Sequence, residues 1–180
     1  DIQGNGTWQK VVDSIKMLNE YGVEWNAMAT ANHFNAKDPL AFYRFFRDEL
    51  HCKFLQISPV VERIREHTDG RHLAQLFDEN CPIAPFSIRP EEWGHFMCDI
   101  FDEWVIRDVG ERFVQLFDIT LAQWCGVQPS LCSFCPTCGD GLVVEHNGDV
   151  YMCDHFVYPE YCLGNIGKAH LKDLQRNPAL

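Results

Sequence analysis

Four cysteines spaced Cys132-x2-Cys135-x2-Cys138-x14-Cys153 constrain this chain more than any other feature. Thiols crowded into so short a stretch point to a soft metal centre. Thiolates select zinc or iron–sulfur clusters, and both take four ligands from turns and strand ends where several backbone vectors converge. The spacing alone leaves the two metals open. A disulfide framework is the competing reading. Against it stand the odd total of nine cysteines and a polar start, Asp1 to Gly6, that reads as neither a secretion signal nor a leader. A reducing, cytoplasmic setting is therefore expected. Cys125 and Cys162 flank the cluster and read either as ligands or as buried thiols. Cys52, Cys81 and Cys98 fall on or between expected core elements and read as structural. The eight histidines form no HxH or HxxxH pair, so they define no second metal site.

The residues after Cys138 supply a scaffold for such a centre. Leu142 to His146 and Asp149 to Cys153 are strand-like and flank Asn147-Gly148, a dipeptide that favours a type I′ hairpin turn with positive φ at both central positions. That register sets Cys153 opposite Leu142, four residues beyond Cys138. With a rise of about 3.3 Å per strand residue, the two thiols then meet at one end of the hairpin. The texture changes at Cys125, so two domains are expected, residues 1–124 and 125–180.

The first of these alternates helices and strands. Helical spacing of Trp8, Val11, Val12, Ile15 and Leu18 predicts a helix over Thr7 to Tyr21, stopped by Gly22. Alternation from Val23 to Ala29 predicts a strand, Pro39 to Leu50 a helix, and Lys53 to Val61 a buried strand. Glu62 to Ile88 has no clean period and reads as an insertion. A helix from Pro90 carries an apolar stripe of Trp93, Phe96, Met97, Ile100, Phe101, Trp104 and Val105 and ends at Gly110. A third strand is expected over Phe113 to Phe117, then a short helix to Trp124. This is an α/β pattern with a parallel sheet. Three strands are too few for a closed barrel of about eight. The net charge of −11 argues against nucleic acid, whose binding draws on clustered Lys and Arg, and no apolar run is long enough to span a membrane.

Cys138 through Val157, with Tyr151-Met152-Cys153-Asp154-His155-Phe156-Val157 at its end, and the continuation Leu163-Gly164-Asn165-Ile166-Gly167 closely resemble the start of the SPASM domain in anaerobic sulfatase-maturating enzymes. The likeness extends more loosely to Gly6-Thr7 with its helix and to the Phe54-Leu55-Gln56 strand. It implies part of a radical-SAM partial (β/α) barrel followed by a small Cys-rich region with a β-hairpin. In that family a [4Fe–4S] cluster in the barrel cleaves S-adenosylmethionine, and the resulting radical takes a hydrogen from a Cys or Ser of a sulfatase on the way to formylglycine. Two auxiliary [4Fe–4S] clusters sit in the SPASM domain. By position, Cys132, Cys138 and Cys153 correspond to three ligands of the first auxiliary cluster, and Asp154 to the base that deprotonates the substrate. Val61 corresponds to a residue near the adenosine. The implied partner is an unfolded or nascent sulfatase polypeptide, with no role for nucleic acid or membrane. Without the resemblance, Asp154 reads as a turn-capping carboxylate, Val61 as a core valine at a strand end, and the cysteines as a non-catalytic zinc module built on Cys132, Cys135, Cys138 and Cys153.

No CxxxCxxC motif occurs. The radical-generating cluster is thus expected upstream of Asp1, and the remaining auxiliary ligands beyond Leu180. The 180-residue chain by itself is expected to be inactive and to hold no intact [4Fe–4S] cluster, because three ligands leave one iron open to oxygen and chelators. Elemental analysis of the aerobically purified chain checks this. Four irons and four sulfides per chain would overturn it, and one zinc per chain would show Cys135 recruited as a substitute ligand.

Overall fold

A computed structural model describes residues 3–65, 73, 74, 78, 80–136 and 141–177. The expected ligand Cys138 lies outside them. The chain divides into two compact units, Asp1–Asp118 and Ile119–Leu180. The division falls inside a helix, α4 (Gln115–Trp124), whereas the composition change suggested a boundary after its last residue.

Three parallel strands form the sheet of the first unit, in the order β1 (Asn26–Ala31), β2 (Phe54–Pro59), β3 (Phe113–Val114). Ala27 pairs with Leu55 and Ala29 with Ile57, while Phe54 and Leu55 meet Phe113 and Val114 across the sheet. Along β1 the alanines 27, 29 and 31 are buried and Asn26, Met28 and Thr30 are exposed, so only one face is covered. Small side chains on that face let helices approach closely. Helix α3 (Pro90–Arg107) contributes Phe96, Met97, Ile100 and Trp104 to the same core, with Tyr43 from α2 (Pro39–Arg44) and Phe117 from α4. Phe101 and Val105, placed on the apolar stripe by periodicity, are partly exposed. The arrangement is mixed α/β, and no closed barrel forms among the described residues.

Local chemistry explains most of the boundaries. Helix α1 (Trp8–Glu20) ends where Gly22 adopts φ +64°, with the Val23 and Gly22 amides returning to Leu18 and Asn19 carbonyls. Helix α3 starts at a proline, and Glu92 accepts the Arg89 amide at 3.0 Å in a capping-box arrangement. The expected helix through Leu50 exists, but its last part, Phe45–Glu49, widens into a π turn. The strand expected over Phe113 to Phe117 is two residues long, because the chain becomes helical at Gln115 as soon as it leaves β2. A short apolar run fits both periods, and here Phe117 packs on a helix against Phe101 and Trp104. Among the scattered cysteines, Cys52 is buried, with its thiol donating to the Phe54 carbonyl at 3.2 Å, while Cys98 is exposed. No described helix is long and apolar enough to cross a membrane.

A polar knot ties the π turn to α3. The Tyr43 hydroxyl donates to Asp108 at 2.8 Å, and the Arg47 guanidinium reaches Asp108 at 3.1 Å and Asp48 at 2.7 Å. Arg44 and Arg47 both pair with Glu103. Desolvation, reinforced by Asp108, pushes the Tyr43 phenol far up, and the Arg44 side chain holds Glu103 below the usual carboxylate range, with Arg47 adding to it. The Arg47 side chain is 12% exposed and that of Glu103 8%, so the pair is shielded, and removing Arg47 leaves Glu103 to Arg44 and Asp108 to the Tyr43 hydroxyl. Arg47→Met is expected to cost about 1–3 kcal/mol, the range for lost hydrogen bonds to partly shielded charged groups that keep one partner each. Urea denaturation of parent and variant measures it.

Candidate functional site

The second unit is built on an antiparallel sheet, β4 (Val143–Val144), β5 (Asp149–Tyr151) and β6 (Cys162–Asn165). Val150, Leu163 and Leu174, the last from the short helix α5 (Leu171–Leu174), form its buried centre. The hairpin exists, but its register differs from expectation by one residue. Val143 pairs with Tyr151 and Val144 with Val150, and the Glu145 amide donates to Asp149. Extending that register puts Cys153 opposite Gly141 rather than Leu142. The turn is a three-residue loop, closed by the Gly148 amide on the Glu145 carbonyl, in which only Gly148 has positive φ (+87°). An L-residue pays for the left-handed region, and Asn147 avoids it. Its side chain instead accepts the Asp149 amide at 2.9 Å.

Asn165 joins the third strand to this turn. Its Nδ2 donates to the Asn147 carbonyl (3.1 Å) and to Asp149 Oδ1 (2.9 Å), and its Oδ1 accepts the Gly167 amide (2.8 Å). The bonds from Asn165 and then Asn147 hold the Asp149 carboxyl below its ordinary range. Neither β6 nor this clamp was expected from strand periodicity.

Cys153 follows β5 and begins a tight turn, in which the Phe156 amide donates to the Cys153 carbonyl at 3.0 Å. Its thiol donates to Asp154 Oδ1 at 3.3 Å and accepts the His155 amide at 3.4 Å. That amide favours the thiolate, but partial desolvation, the Asp154 carboxylate and the Cys132 thiol together outweigh it, so the Cys153 pKa is raised. Cys132 and Cys153 are not disulfide-bonded. Cys153 Sγ, an Asp154 oxygen and a His155 ring nitrogen lie within 4.8 Å of one another. Cys135 is turned into its own loop, donating to the Pro129 and Leu131 carbonyls at 3.5 and 3.6 Å. Cys125 and Cys162 are exposed. Val61 lies in the first unit, just past the end of β2, and is 59% exposed, which rules out the core-valine reading.

Cysteine thiols with solvent access suit a soft, thiolate-bound centre, so the chemistry of Cys132 and Cys153 as donors fits an iron–sulfur cluster. An iron–sulfur cluster-binding domain, SPASM, matches residues 132–180. Over 97% of its length the chain is 52% identical to the serine-type anaerobic sulfatase-maturating enzyme of Bacteroides thetaiotaomicron. The chain is thus similar, over almost its whole length, to part of an anaerobic sulfatase-maturating enzyme. The cysteine-type sulfatase-maturating enzyme of Clostridium novyi is 28% identical over 97% of the chain. The chain spans 42% and 43% of these two relatives. Its fold matches a solved sulfatase-maturating enzyme, anSMEcpe with bound AdoMet, at a TM-score of 0.77 and 26% identity, covering 99% of this chain and 44% of that one. The same protein with AdoMet and the Kp18Cys peptide matches at 0.70 and 25%, covering 99% and 46%.

The hairpin geometry predicts a stability effect away from the thiols. A Cβ at Gly148 would stand 3.2 Å from the Asn165 amide group, in a left-handed conformation. Gly148→Ala is expected to cost about 1–2 kcal/mol from backbone strain alone. Thermal unfolding compared with the parent checks it.

Proposed function

We propose that this chain is part of a radical S-adenosylmethionine enzyme that oxidises a Cys or Ser of a sulfatase to formylglycine. The observation that carries this reading is the 52% identity to a serine-type sulfatase-maturating enzyme over almost the whole chain. In the complete protein, S-adenosylmethionine and the [4Fe–4S] clusters, one radical-generating and two auxiliary, supply radical initiation and electron transfer. The residues of this chain bind, position and move a proton. Cys132, Cys138 and Cys153 hold the first auxiliary cluster, a role supported by the match of residues 132–180 to an iron–sulfur cluster-binding domain. Val61, exposed past the end of β2, contacts the adenosine. Residues 1–124 form part of the barrel and residues 125–180 the cluster-binding region.

Asp154 is the base that takes the thiol or hydroxyl proton of the target residue. Its carboxylate is exposed and adjoins Cys153, where a macromolecular substrate can reach it. Removing that proton eases oxidation of the neighbouring carbon radical, so a carboxylate beside an electron-accepting centre is well placed. The partner is a sulfatase polypeptide in an unfolded or nascent state, in a cytoplasmic setting. A peptide substrate is supported by the peptide bound to anSMEcpe.

The full-length protein, reconstituted anaerobically with iron and sulfide and given peptides bearing Ser or Cys at the target position, is expected to form an aldehyde detectable by mass spectrometry and hydrazide trapping. Stoichiometric zinc, no visible charge-transfer band and no aldehyde would instead support the non-catalytic zinc module. Asp154→Asn is expected to slow aldehyde formation by about 10²–10⁴-fold, the range for loss of a general base, with iron content unchanged. Unaltered turnover would reduce Asp154 to a turn cap.

A further inference from the structure

The sulfur of Cys153 sits between two groups of opposite electrostatic sign. On one side the main-chain N–H of His155 points at it from 3.4 Å, and on the other Asp154 Oδ1 lies 3.3 Å away. Both are fixed by one short turn. The Phe156 amide closes that turn on the Cys153 carbonyl at 3.0 Å, and the Phe156 ring packs edge-on against Tyr161 with centroids 5.1 Å apart. The His155 side chain is exposed, and a nitrogen of its ring lies within 4.8 Å of the sulfur, so the imidazole adjoins Cys153 as well as the main-chain N–H.

We propose that the His155 amide and the Asp154 carboxylate form an opposed pair that sets the reduction potential of the cluster held by Cys153. The inference rests on the ligand role given to Cys153 above. Hydrogen bonds to ligand sulfurs and nearby charges are the protein's main means of tuning an iron–sulfur centre. Adding one electron increases the negative charge on the cluster and its sulfurs. An N–H dipole aimed at Sγ stabilises that reduced form and raises the potential. A carboxylate at the same sulfur opposes reduction and lowers it, because an iron-bound sulfur has no proton left to share with Asp154. Asp154 therefore has two effects, as the base of the reaction and as a brake on electron uptake by its neighbour.

The test uses the full-length, reconstituted protein and potentiometric titration followed by EPR. The signal lost in Cys153→Ser identifies the cluster concerned. Replacing residue 155 by phenyllactic acid turns its amide into an ester and removes the N–H, with His155→Phe as the reference that keeps it. The ester is expected to make the potential more negative and Asp154→Asn less negative. Each change should be about tenfold in the one-electron equilibrium, or about 59 mV. The ester is read against His155→Phe, which has lost the same imidazole and keeps the N–H. Unmoved potentials in both altered proteins overturn the proposal while leaving the ligand assignment intact. If Cys153→Ser retains every EPR signal and all its iron, the ligand assignment falls and the proposal with it. Should the ester form not fold, the parent labelled with nitrogen-15 at the histidine main-chain nitrogen alone still decides the amide half. A nitrogen-15 hyperfine coupling to the reduced cluster is expected, and its absence overturns the contact.

Discussion

The second unit depends on the side-chain amide of Asn165. One residue supplies two donated bonds to the hairpin turn and one accepted bond from its own loop, so the ends of three chain segments are fixed at a single point. Among the described residues of this unit, Val150, Leu163 and Leu174 are the buried apolar ones apart from Ile119, a small core to hold its strands by burial alone. Hydrogen bonds to a well-placed amide, each worth about 0.5–1.5 kcal/mol net, then form a large share of what keeps β5 in register. The register decides where Cys153 emerges, and therefore which groups can surround its sulfur.

The first unit solves a different problem. Its core is rich in aromatic rings stacked between α2, α3 and α4, and the alanines of β1 leave room for them. Burial there is ample, and the polar knot of Tyr43, Arg47, Glu103 and Asp108 adds a constraint of another kind. Charged groups so shielded tolerate few alternative pairings, which fixes the angle at which the π turn meets α3. The other face of β1 and β2, with Asn26, Met28 and Thr30, remains uncovered within the unit. In open α/β sheets ligands bind beyond the carboxyl ends of the strands, which is where Val61 stands.

Much of this was legible before the structure. Helices α1 and α3, strand β2 and the parallel order follow from periodicity and from Gly22 and Pro90, which act locally. What periodicity could not give depends on competition between near-equal alternatives. Asn-Gly suits both a two-residue and a three-residue hairpin loop, and the choice was made by Asn165, eighteen positions from Asn147. Cys-Leu-Gly-Asn lacks the residues favoured in strands, so β6 forms because its Leu163 has a core to enter. The candidate site divided similarly. The inward turn of Cys135 onto Pro129 and Leu131 reflects loop geometry that thiol spacing does not encode. The ligand, base and adenosine roles came from resemblance, since an exposed aspartate and an exposed valine carry no chemical signature of their own.

The turn beginning at Cys153 places a sulfur and a carboxylate on consecutive residues, joined by one trans peptide of about 3.8 Å between Cα atoms. No insertion can enter between them, and no hinge can separate them. Whatever displaces one displaces the other by nearly the same vector. A chain carrying electrons out of a substrate and protons off it usually has to keep two independent parts aligned through thermal motion. Here the alignment is covalent, and it would persist through domain movements that misplace anything borne on a separate loop.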